Sequence, residues 1–403
     1  MDNVHILPEL LRATQDMGFT TFTEIQQKCI PLVQTGKDVL GQSHTGSGKT
    51  AAFGIPVIEM LTRGQGVQSL ILVPTRELAE QVMTVLQKLA AFKPLEIISV
   101  YGGVGIDQQI RRLRTADLVV ATPGRLLDHI QRKTIMLGKV KIAVLDEADK
   151  MFEMGFVDDV KKILSHLPVK RQTLLFSATI PREVEYLVQR FMTTPIRVKT
   201  SEFVESAKMV QQYFMVDSSD KFSLLLHLLR EMKPALTLIF CSTRKRVDAV
   251  AKNLKVQGFE AHGLHGGLSQ NQRKHALDKF HNRESEILVA SDVAARGLDI
   301  REVSLVLNYD APRNPKDYVH RMGRTARAGK SGIVVSLVSG EDHNDFGAVR
   351  QEMREDLISM ELPEFKRIPF VKLGRDESKE SSFPRHIHRD RFRKKFDRGP
   401  KRR

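Results

Sequence analysis

Short apolar segments without polar alternation recur along this chain of 403 residues, and longer amphipathic stretches separate them. Uninterrupted runs of Val, Ile and Leu are typical of parallel strands that are covered on both faces. Parallel strands need long crossover connections, which are usually helices. We therefore predict the α/β class, with two doubly wound parallel-sheet domains and right-handed crossovers. The predicted strands comprise residues 38–40, 70–73, 97–100, 118–121, 142–145 and 173–176 in the first half, and residues 236–240, 261–264, 286–290, 303–308 and 331–338 in the second.

The domain boundaries follow from this alternation and from a change in composition near the C-terminus. Amphipathic stretches predict helices at residues 76–89 and 156–167, and one more at about 345–360. A short linker is expected near residues 200–210. From Gly374 onward Ser, Arg and Lys dominate and little can be buried, so a disordered tail is predicted. The predicted divisions are a first domain at 1–203, a second domain at 204–345, a C-terminal helix and extension at 346–373 and a basic tail at 374–403.

The chain is basic, with 63 Lys and Arg against 48 Asp and Glu, a formal net charge of +15. Residues 385–403 hold ten Lys or Arg and two Asp, so this segment alone carries 10 − 2 = +8. A basic chain favours nucleic acid, an anionic membrane or an acidic partner, and charge alone does not choose among them. The tail could tether nucleic acid, or it could serve only solubility or targeting.

Other compositional features exclude several classes of protein. Cys29 and Cys241 are too few for a disulfide framework or a cysteine metal cage, so we expect two reduced, buried thiols. No apolar run approaches the ~20 residues of a membrane span. The N-terminus lacks the basic and apolar regions of a secretory signal. We therefore expect a cytoplasmic protein.

A glycine-rich turn follows the first predicted strand and opens a helix. Backbone N–H groups in such a turn, together with the positive end of the helix, bind phosphates. Lys49 would neutralise the β and γ phosphates, and the Thr50 hydroxyl would ligate Mg²⁺. An ordinary glycine turn with a solvated lysine is the alternative. The candidate nucleotide-binding residues are Ser43, His44, Thr45, Gly46, Ser47, Gly48, Lys49 and Thr50.

An acidic motif, Asp146-Glu147-Ala148-Asp149, follows the predicted strand at 142–145. In P-loop nucleoside triphosphatases, a carboxylate here holds Mg²⁺ and the next one orients and deprotonates the attacking water. Asp146 and Glu147 are the candidates for these two roles. The alternative is a helix N-terminus that carries acidic residues because the helix dipole favours them.

From about residue 17 to residue 342 the sequence resembles the DEAD-box family of superfamily 2 RNA helicases, with motifs in family order and spacing. The resemblance implies two RecA-like domains, and the short termini are typical of a compact, prokaryotic-type member. Phe19 and Gln26 match the family's adenine-reading motif, in which the glutamine amide bonds the adenine edge. Phe22 stands where the family usually has Pro, and Met1 where it usually has an aromatic residue.

The resemblance also implies residues that contact RNA through its phosphates and 2′-hydroxyl groups. They lie at strand ends in both halves, and any one of these segments taken alone would more often be a structural turn. In the first half they are Pro74, Thr75, Arg76, Gly102, Gly103, Thr122, Pro123 and Arg125. In the second half they are Thr243, Arg244, Gln270, Arg273 and Ser291.

Two further groups are implied by the same resemblance. Gly297 and Asp299 would bind the ATP ribose from the second domain, and Arg324 and Arg327 would reach the γ-phosphate across the cleft. Ala326 replaces the customary Gly of the arginine motif, which leaves the arginine spacing intact. The residues expected to couple hydrolysis to movement of the second domain are Asp149, Ser177, Thr179 and His320.

These expectations describe an ATP-dependent, Mg²⁺-dependent RNA helicase that is stimulated by RNA. It would act as a monomer on single-stranded and duplex RNA, with little base readout and possible ribonucleoprotein partners. An ATP-gated RNA clamp or scaffold is one alternative. A DNA helicase of the same superfamily is the other, and Gln26 and the motif from Ser177 to Thr179 favour RNA over it.

Overall fold

A computed structural model describes residues 4–43, 46–200, 209–295, 303–325, 331–354 and 356–371. These residues form two seven-stranded sheets, and every strand pair within them is parallel. The predicted α/β class with two parallel-sheet domains is confirmed. The linker expected near residues 200–210 falls largely on 201–208, which lie outside the described residues.

The first sheet contains strands β1 to β7, which alternate with helices. Its strands are β1 Val39–Gln42, β2 Ser69–Leu72, β3 Ile97–Val100, β4 Leu118–Ala121, β5 Ile142–Asp146, β6 Gln172–Ser177 and β7 Ile196–Lys199. Its helices are α1 Pro8–Asp16, α2 Glu24–Gln34, α3 Lys49–Met60, α4 Arg76–Leu89, α5 Ile106–Leu113, α6 Pro123–Gln131, α7 Ala148–Glu153, α8 Val157–Ser165 and α9 Arg182–Phe191.

The second sheet contains strands β8 to β14. Its strands are β8 Met209–Met215, β9 Thr237–Cys241, β10 Ala261–Leu264, β11 Ile287–Ser291, β12 Leu305–Asn308, β13 Gly332–Val338 and β14 Leu357–Met360. Its helices are α10 Lys221–Met232, α11 Arg244–Val256, α12 Gln270–His281, α13 Asp292–Ala295, α14 Pro315–Met322 and α15 His343–Glu352.

The two sheets repeat one strand order. The first is β3-β4-β2-β5-β6-β1-β7 and the second is β10-β11-β9-β12-β13-β8-β14, so each strand of the second sheet occupies the place of the strand seven earlier. Two apolar clusters flank each sheet, one on either face. Because the helices bury both faces, the carboxyl edges of the strands are where the loops are free to carry polar groups.

Three strands escaped the sequence prediction, and their burial explains why. In β7 the side chains of Arg197 and Lys199 are exposed, and β14 is only half-buried. β8 carries Gln211 and Gln212, which interrupt its apolar run. Edge or polar strands such as these lack the continuous hydrophobic signal of central strands.

The prediction of a helix at about 345–360 was wrong at its C-terminal end. Helix α15 ends at Glu352, and Leu357–Met360 is strand β14, which pairs in parallel with β8. The chain then crosses α10 and α11. There the Phe370 ring lies 5.2 Å from the Phe222 ring, and the Asn253 side chain exchanges hydrogen bonds with the Val371 backbone. Residues 361–371 therefore pack against the second domain.

Cys29 and Cys241 are both buried and form no disulfide, as expected. Within the described ranges, every helix is too short or too polar to cross a membrane.

Candidate nucleotide and nucleic-acid site

The strand order of the first sheet gathers its motifs into two neighbouring groups at one edge. The glycine-rich turn follows β1, the acidic motif follows β5, and Ser177 ends β6, which lies between those two strands. The three predicted RNA-contact segments follow β2, β4 and β3, which continue the sheet on the other side of β5. The topology therefore places the phosphate-binding elements and the strand-contact elements side by side.

The glycine-rich turn is packed against the adenine-reading motif. Gly48 has φ +93°, a conformation that favours glycine, and a Cβ atom there would also lie 2.4 Å from Gln26 Nε2 and displace that amide. Gln26 Nε2 donates to Gly48 O at 3.1 Å, while Gln26 Oε1 accepts from the Thr23 N–H at 2.9 Å. Phe19 is half-buried and packs on the core beneath. The motif thus braces the phosphate loop directly.

Lys49 is buried at the first turn of α3, and its Nζ donates to Ser43 O at 2.8 Å. The hydroxyl groups of Ser43 and Ser47 lie 2.8 Å apart and close the turn on itself. The Ser43 hydroxyl thus has a structural partner where the general P-loop pattern has glycine. His44 and Thr45, two predicted nucleotide contacts, lie outside the described residues.

The acidic motif begins in a strained conformation. Asp146 ends β5, and its Oδ1 accepts the Glu147 N–H at 2.9 Å. Glu147 has φ +52°, which is uncommon for a residue with a side chain and is often found at functional sites. Burial raises the pKa of Asp146 to about 6, although Lys49 opposes that rise. Burial therefore outweighs the opposing effect of Lys49 at this carboxyl group.

Sequence reasoning missed Lys150, the residue after the acidic motif. Its Nζ lies 2.9 Å from Glu147 Oε1, and only 1% of the residue is exposed. Burial alone would raise the pKa of Glu147, but Lys150 and then Lys49 outweigh it and hold that pKa below its usual value. Glu147 Oε2 has no hydrogen-bond partner among the described residues. The sequence did contain a sign of this role, because Lys150 directly follows the carboxylates of the acidic motif.

Asp149 links the acidic motif to β6. The Asp149 N–H donates to Ser177 Oγ at 3.1 Å, and Asp149 Oδ2 accepts from Thr179 N–H at 2.9 Å and from Thr179 Oγ at 2.8 Å. Burial opposes ionisation, but these hydrogen bonds from Thr179 outweigh it and lower the pKa of Asp149. Three of the four predicted coupling residues therefore form one hydrogen-bonded unit.

The second domain faces this motif through α14. His320, the fourth coupling residue, has its pKa lowered by burial and by Lys150. Arg324 is buried close enough to Glu147 to contribute to lowering its pKa. Lys316 forms an ion pair with Glu153 of α7. The arginine motif therefore meets the acidic motif across the cleft between the domains, while Gly297, Asp299 and Arg327 lie outside the described residues.

Arg321, which sequence reasoning passed over, braces the second domain internally. Its guanidinium group bonds both carboxylate oxygens of Asp292, at 2.6 and 2.7 Å, and donates to Asn308 Oδ1 at 2.9 Å. Only 3% of the residue is exposed. Arg321 therefore ties α14 to the strand ends beside it, and buried bidentate pairs of this kind fix geometry.

Of the predicted RNA-contact residues of the first domain, some are accessible and others form the frame. Arg76 and Gly103 are exposed, and a Cβ atom on Gly103 would lie 2.1 Å from Arg76 Nη1. Gly102 and Arg125 are half-buried. Pro74, Thr75, Thr122 and Pro123 are buried.

The second domain repeats this arrangement. Thr75 and Thr243 both cap a helix that begins with an arginine, accepting from Leu78 N–H and Arg246 N–H at 3.2 Å each. Arg244 is exposed, as Arg76 is, and lies over Gly266 and Gly267 as Arg76 lies over Gly102 and Gly103. Ser291 is buried at the end of β11.

Gln270 and Arg273 lie against the other domain. Arg273 Nε is 2.8 Å from Glu77 Oε1, and Gln270 Nε2 lies 3.5 Å from the same oxygen. Glu77 belongs to α4 of the first domain and was not singled out by the sequence. These contacts bridge the domains on the side where the predicted strand-contact loops lie.

Duplicate parallel sheets that share one strand order, with a phosphate-binding turn on one of them, define the class of tandem RecA-like ATPases. Residues 23–187 match the family description DEAD/DEAH box helicase, and residues 220–329 match the helicase conserved C-terminal domain. The chain is 45% identical to the DEAD-box ATP-dependent RNA helicase CshA of Geobacillus kaustophilus, over 88% of this chain and 77% of that protein. It is 44% identical to CshA of Bacillus subtilis, over 88% and 72%.

Solved structures agree with this assignment. Saccharomyces cerevisiae Dbp5 bound to RNA and ADP BeF3 has a TM-score of 0.80 and 31% identity, over 90% of this chain and 95% of that one. The chain belongs to the DEAD-box family of ATP-dependent RNA helicases.

Proposed function

We propose that this protein is an RNA-stimulated ATPase that separates RNA duplexes locally, or remodels RNA–protein complexes, by closing its two domains on one strand. The observation that carries the proposal is the meeting of Arg324 with the buried pair of Glu147 and Lys150 across the cleft. Neither domain alone assembles these charges. Hydrolysis therefore depends on closure, and closure is what a bound strand would promote.

The residues of the first domain would bind Mg²⁺ and the phosphates together. No cluster of three or more His, Cys, Asp or Glu side chains capable of holding a metal ion occurs in the described part of the chain. Mg²⁺ usually takes one or two protein ligands together with phosphates and waters, so a site for it does not require such a cluster. Asp146 is buried, and a cation bound beside it would favour its charged form. Thr50 and Asp146 would hold the ion, and Lys49 would bind the β and γ phosphates. When bound, Mg²⁺ would neutralise charge that develops on the phosphates.

Glu147 would orient the attacking water and accept its proton. Lys150 favours the ionised Glu147 carboxylate and fixes its Oε1, while the buried Oε2 has no hydrogen-bond partner among the described residues and would accept from the attacking water in the assembled site. Arg324, together with Arg327, would stabilise charge on the γ-phosphate. Arginine fingers of this kind contribute roughly 10³–10⁵ in rate.

The RNA strand would lie along the loops at the carboxyl edges of both sheets. Exposed Arg76 and Arg244 each stand over a glycine pair, so both domains present a cation beside accessible backbone. These groups suit phosphates and 2′-hydroxyl groups and carry little information about base sequence. A strand gripped on both domains would be bent as they close, which would disrupt a neighbouring duplex.

The decisive experiment measures ATP turnover and strand separation with RNA. Glu147→Gln should bind ATP and RNA normally and stall before hydrolysis, Lys49→Ala should lose ATP-dependent activity, and Arg327→Ala should lose RNA stimulation while ATP affinity stays near normal. Normal turnover in Glu147→Gln would remove this residue from catalysis. An unchanged rate in Arg327→Ala would defeat the two-domain site.

Two other activities are distinguished by simple comparisons. A DNA helicase would be stimulated equally by DNA of the same length. An ATP-gated clamp would bind RNA tightly but turn over slowly without strand separation. The bacterial relatives named CshA favour an RNA helicase over these two activities. We also propose that the protein is a cytoplasmic monomer and that it acts on ribonucleoprotein partners.

A further inference from the structure

A buried network of hydrogen-bonded polar side chains lies behind the strand-contact loops of the first domain, and none of the sequence motifs includes it. His129 of α6 is completely buried, and Gln109 of α5 is 6% exposed. Buried polar groups are costly unless they are hydrogen-bonded, so a connected set of them fixes geometry. This network contacts two of the predicted RNA-contact segments, the Gly102–Gly103 loop and Arg125.

Gln109 joins both loops. Its Nε2 donates to Tyr101 O at 2.9 Å, the carbonyl immediately before Gly102 and Gly103. Its Oε1 lies 3.3 Å from Arg125 Nη1, which also donates to Val104 O at 3.1 Å on the far side of the glycine pair. The glycine loop is therefore held at both ends, and Arg125 is held by the loop.

His129 supports Gln109 from behind. Its Nε2 lies 3.0 Å from Gln109 Oε1, and its Nδ1 lies 2.8 Å from Thr134 Oγ. Since Gln109 donates through Nε2 to the Tyr101 carbonyl, its Oε1 is an acceptor, and His129 must carry its proton on Nε2. Burial and then Arg125 lower the pKa of His129, while Asp128 opposes and Arg132 adds to that shift. A neutral histidine with one defined tautomer results.

We infer that Gln109 and His129 are positioning residues that set the spacing between the Gly102–Gly103 loop and Arg125, and thereby the affinity for the RNA backbone. The inference rests on the proposed function, since it assumes that these loops grip the strand. Arg125 is half-buried, and its guanidinium group is oriented by Val104 O, by Gln109 Oε1 and by Asp128 Oδ2, which lies 3.9 Å from Arg125 Nε. These contacts set the direction in which its accessible part faces. Neither Gln109 nor His129 would contact RNA.

The test is Gln109→Met, which keeps the length of the side chain and removes its hydrogen bonds. We expect the RNA concentration for half-maximal ATPase to rise about tenfold, the effect of losing roughly 1.4 kcal/mol of hydrogen bonding. Turnover at saturating RNA and the KM for ATP should stay within about twofold of the parent. Gln109→Glu keeps the acceptor for Arg125 and His129 and should recover part of the affinity.

Gln87→Met serves as a control for position along the same strand. Gln87 is exposed, and its amide donates to Ile97 O at 3.0 Å at the opposite end of β3, so this variant loses a glutamine hydrogen bond to the strand far from the loops. Its half-saturating RNA concentration should not change. An equal rise in the control, or no rise in Gln109→Met, would overturn the inference.

Failure of the proposed function would look different, because the parent protein itself would then show no stimulation by RNA. If Gln109→Met does not fold, as judged by thermal unfolding, Thr134→Val decides the matter. It removes only the hydroxyl group next to His129 Nδ1, and a two- to threefold rise in half-saturating RNA is expected. An unchanged value in that variant would refute the positioning role.

Discussion

At the residue scale, one buried cation governs the acidic motif. Lys150 and Glu147 are both almost inaccessible, and removing one partner of a buried pair leaves an uncompensated charge. Lys150→Met should therefore lower kcat at saturating RNA by at least about tenfold while the KM for ATP changes little. Lys150→Arg should retain most of the rate.

Lys161→Met is the control for this prediction. Lys161 pairs with Asp158 three residues away, as Lys150 pairs with Glu147, but the Asp158 side chain is 81% exposed. Steady-state ATPase kinetics of the three variants provide the measurement. Equal kcat values for Lys150→Met and Lys161→Met would show that the buried pair has no role in hydrolysis.

Asp149 gives a prediction about stability and pH. Hydrogen bonds from Thr179 hold its pKa below the usual value, so the carboxylate stabilises the fold above the unfolded pKa and loses that effect as pH falls through the folded pKa. Asp149→Asn should lower the free energy of unfolding by about 1–3 kcal/mol at pH 7.5. The difference should stay nearly constant from pH 7.5 to about 5 and should shrink as the pH falls below about 4, toward the lowered pKa of the folded state.

Urea denaturation at several pH values measures this difference. The exposed Asp158→Asn should change little at either end of the range. A deficit in Asp149→Asn that did not shrink as the pH fell from about 4 to about 2.5 would mean that packing, rather than the charge on Asp149, accounts for the loss.

At the element scale, the segment after β14 acts as a strap on the second domain. Phe370 stacks near Phe222, and the Val371 backbone bonds Asn253 of α11. Phe370→Ala should lower the free energy of unfolding by about 1–3 kcal/mol without altering the KM for ATP. Val371→Ala, at a side chain 63% exposed, is the matched control. Chemical denaturation that failed to separate these two variants would exclude the strap.

The sequence predicted the bounds of several elements and missed the strands whose side chains are exposed or polar. Strands β3, β4 and β10 and helix α4 begin and end where predicted. Strand β4 is buried along its whole length, whereas β3 and β10 are edge strands that are buried only in part. Strand β14 was taken for the end of a helix, since a half-exposed edge strand after a helix has no periodicity of its own. Burial at an edge depends on partners that are distant along the chain.

The candidate site divides in the same way. The structure brings Lys49, Asp146, Asp149 and Thr179 to one edge of the first sheet, because each lies at or just after the carboxyl end of one of its strands. Motif spacing could not find Lys150, Arg321 or Glu77, whose partners are decided by how helices meet. A lysine or glutamate on a helix surface is ordinary in sequence, and only the fold shows that it is buried.

At the scale of the whole molecule, the contact between Glu77 and Arg273 predicts a coupling between the domains. The pair is nearly buried and joins α4 to α12. Glu77→Gln and Arg273→Gln should each raise the half-saturating RNA concentration about tenfold, and the double variant should be no worse than either single one. Effects that simply multiplied would assign the two residues separate roles, such as direct RNA contact by Arg273.

The two sheets share one strand order but differ in the turn that follows their equivalent strands β1 and β8. The turn after β1 is rich in glycine, whereas residues 216–220, which follow the equivalent strand β8, contain none. Translocation along a nucleic acid requires one domain to stay bound while the other moves forward. The two domains must therefore release the strand at different times. Under the proposed function, one ATP bound between the domains would control the RNA contacts of both domains, so each hydrolysis would release the whole strand. Duplexes longer than the RNA segment that one protein molecule contacts should therefore resist strand separation. The fraction of duplex that is separated should fall steeply with every added base pair.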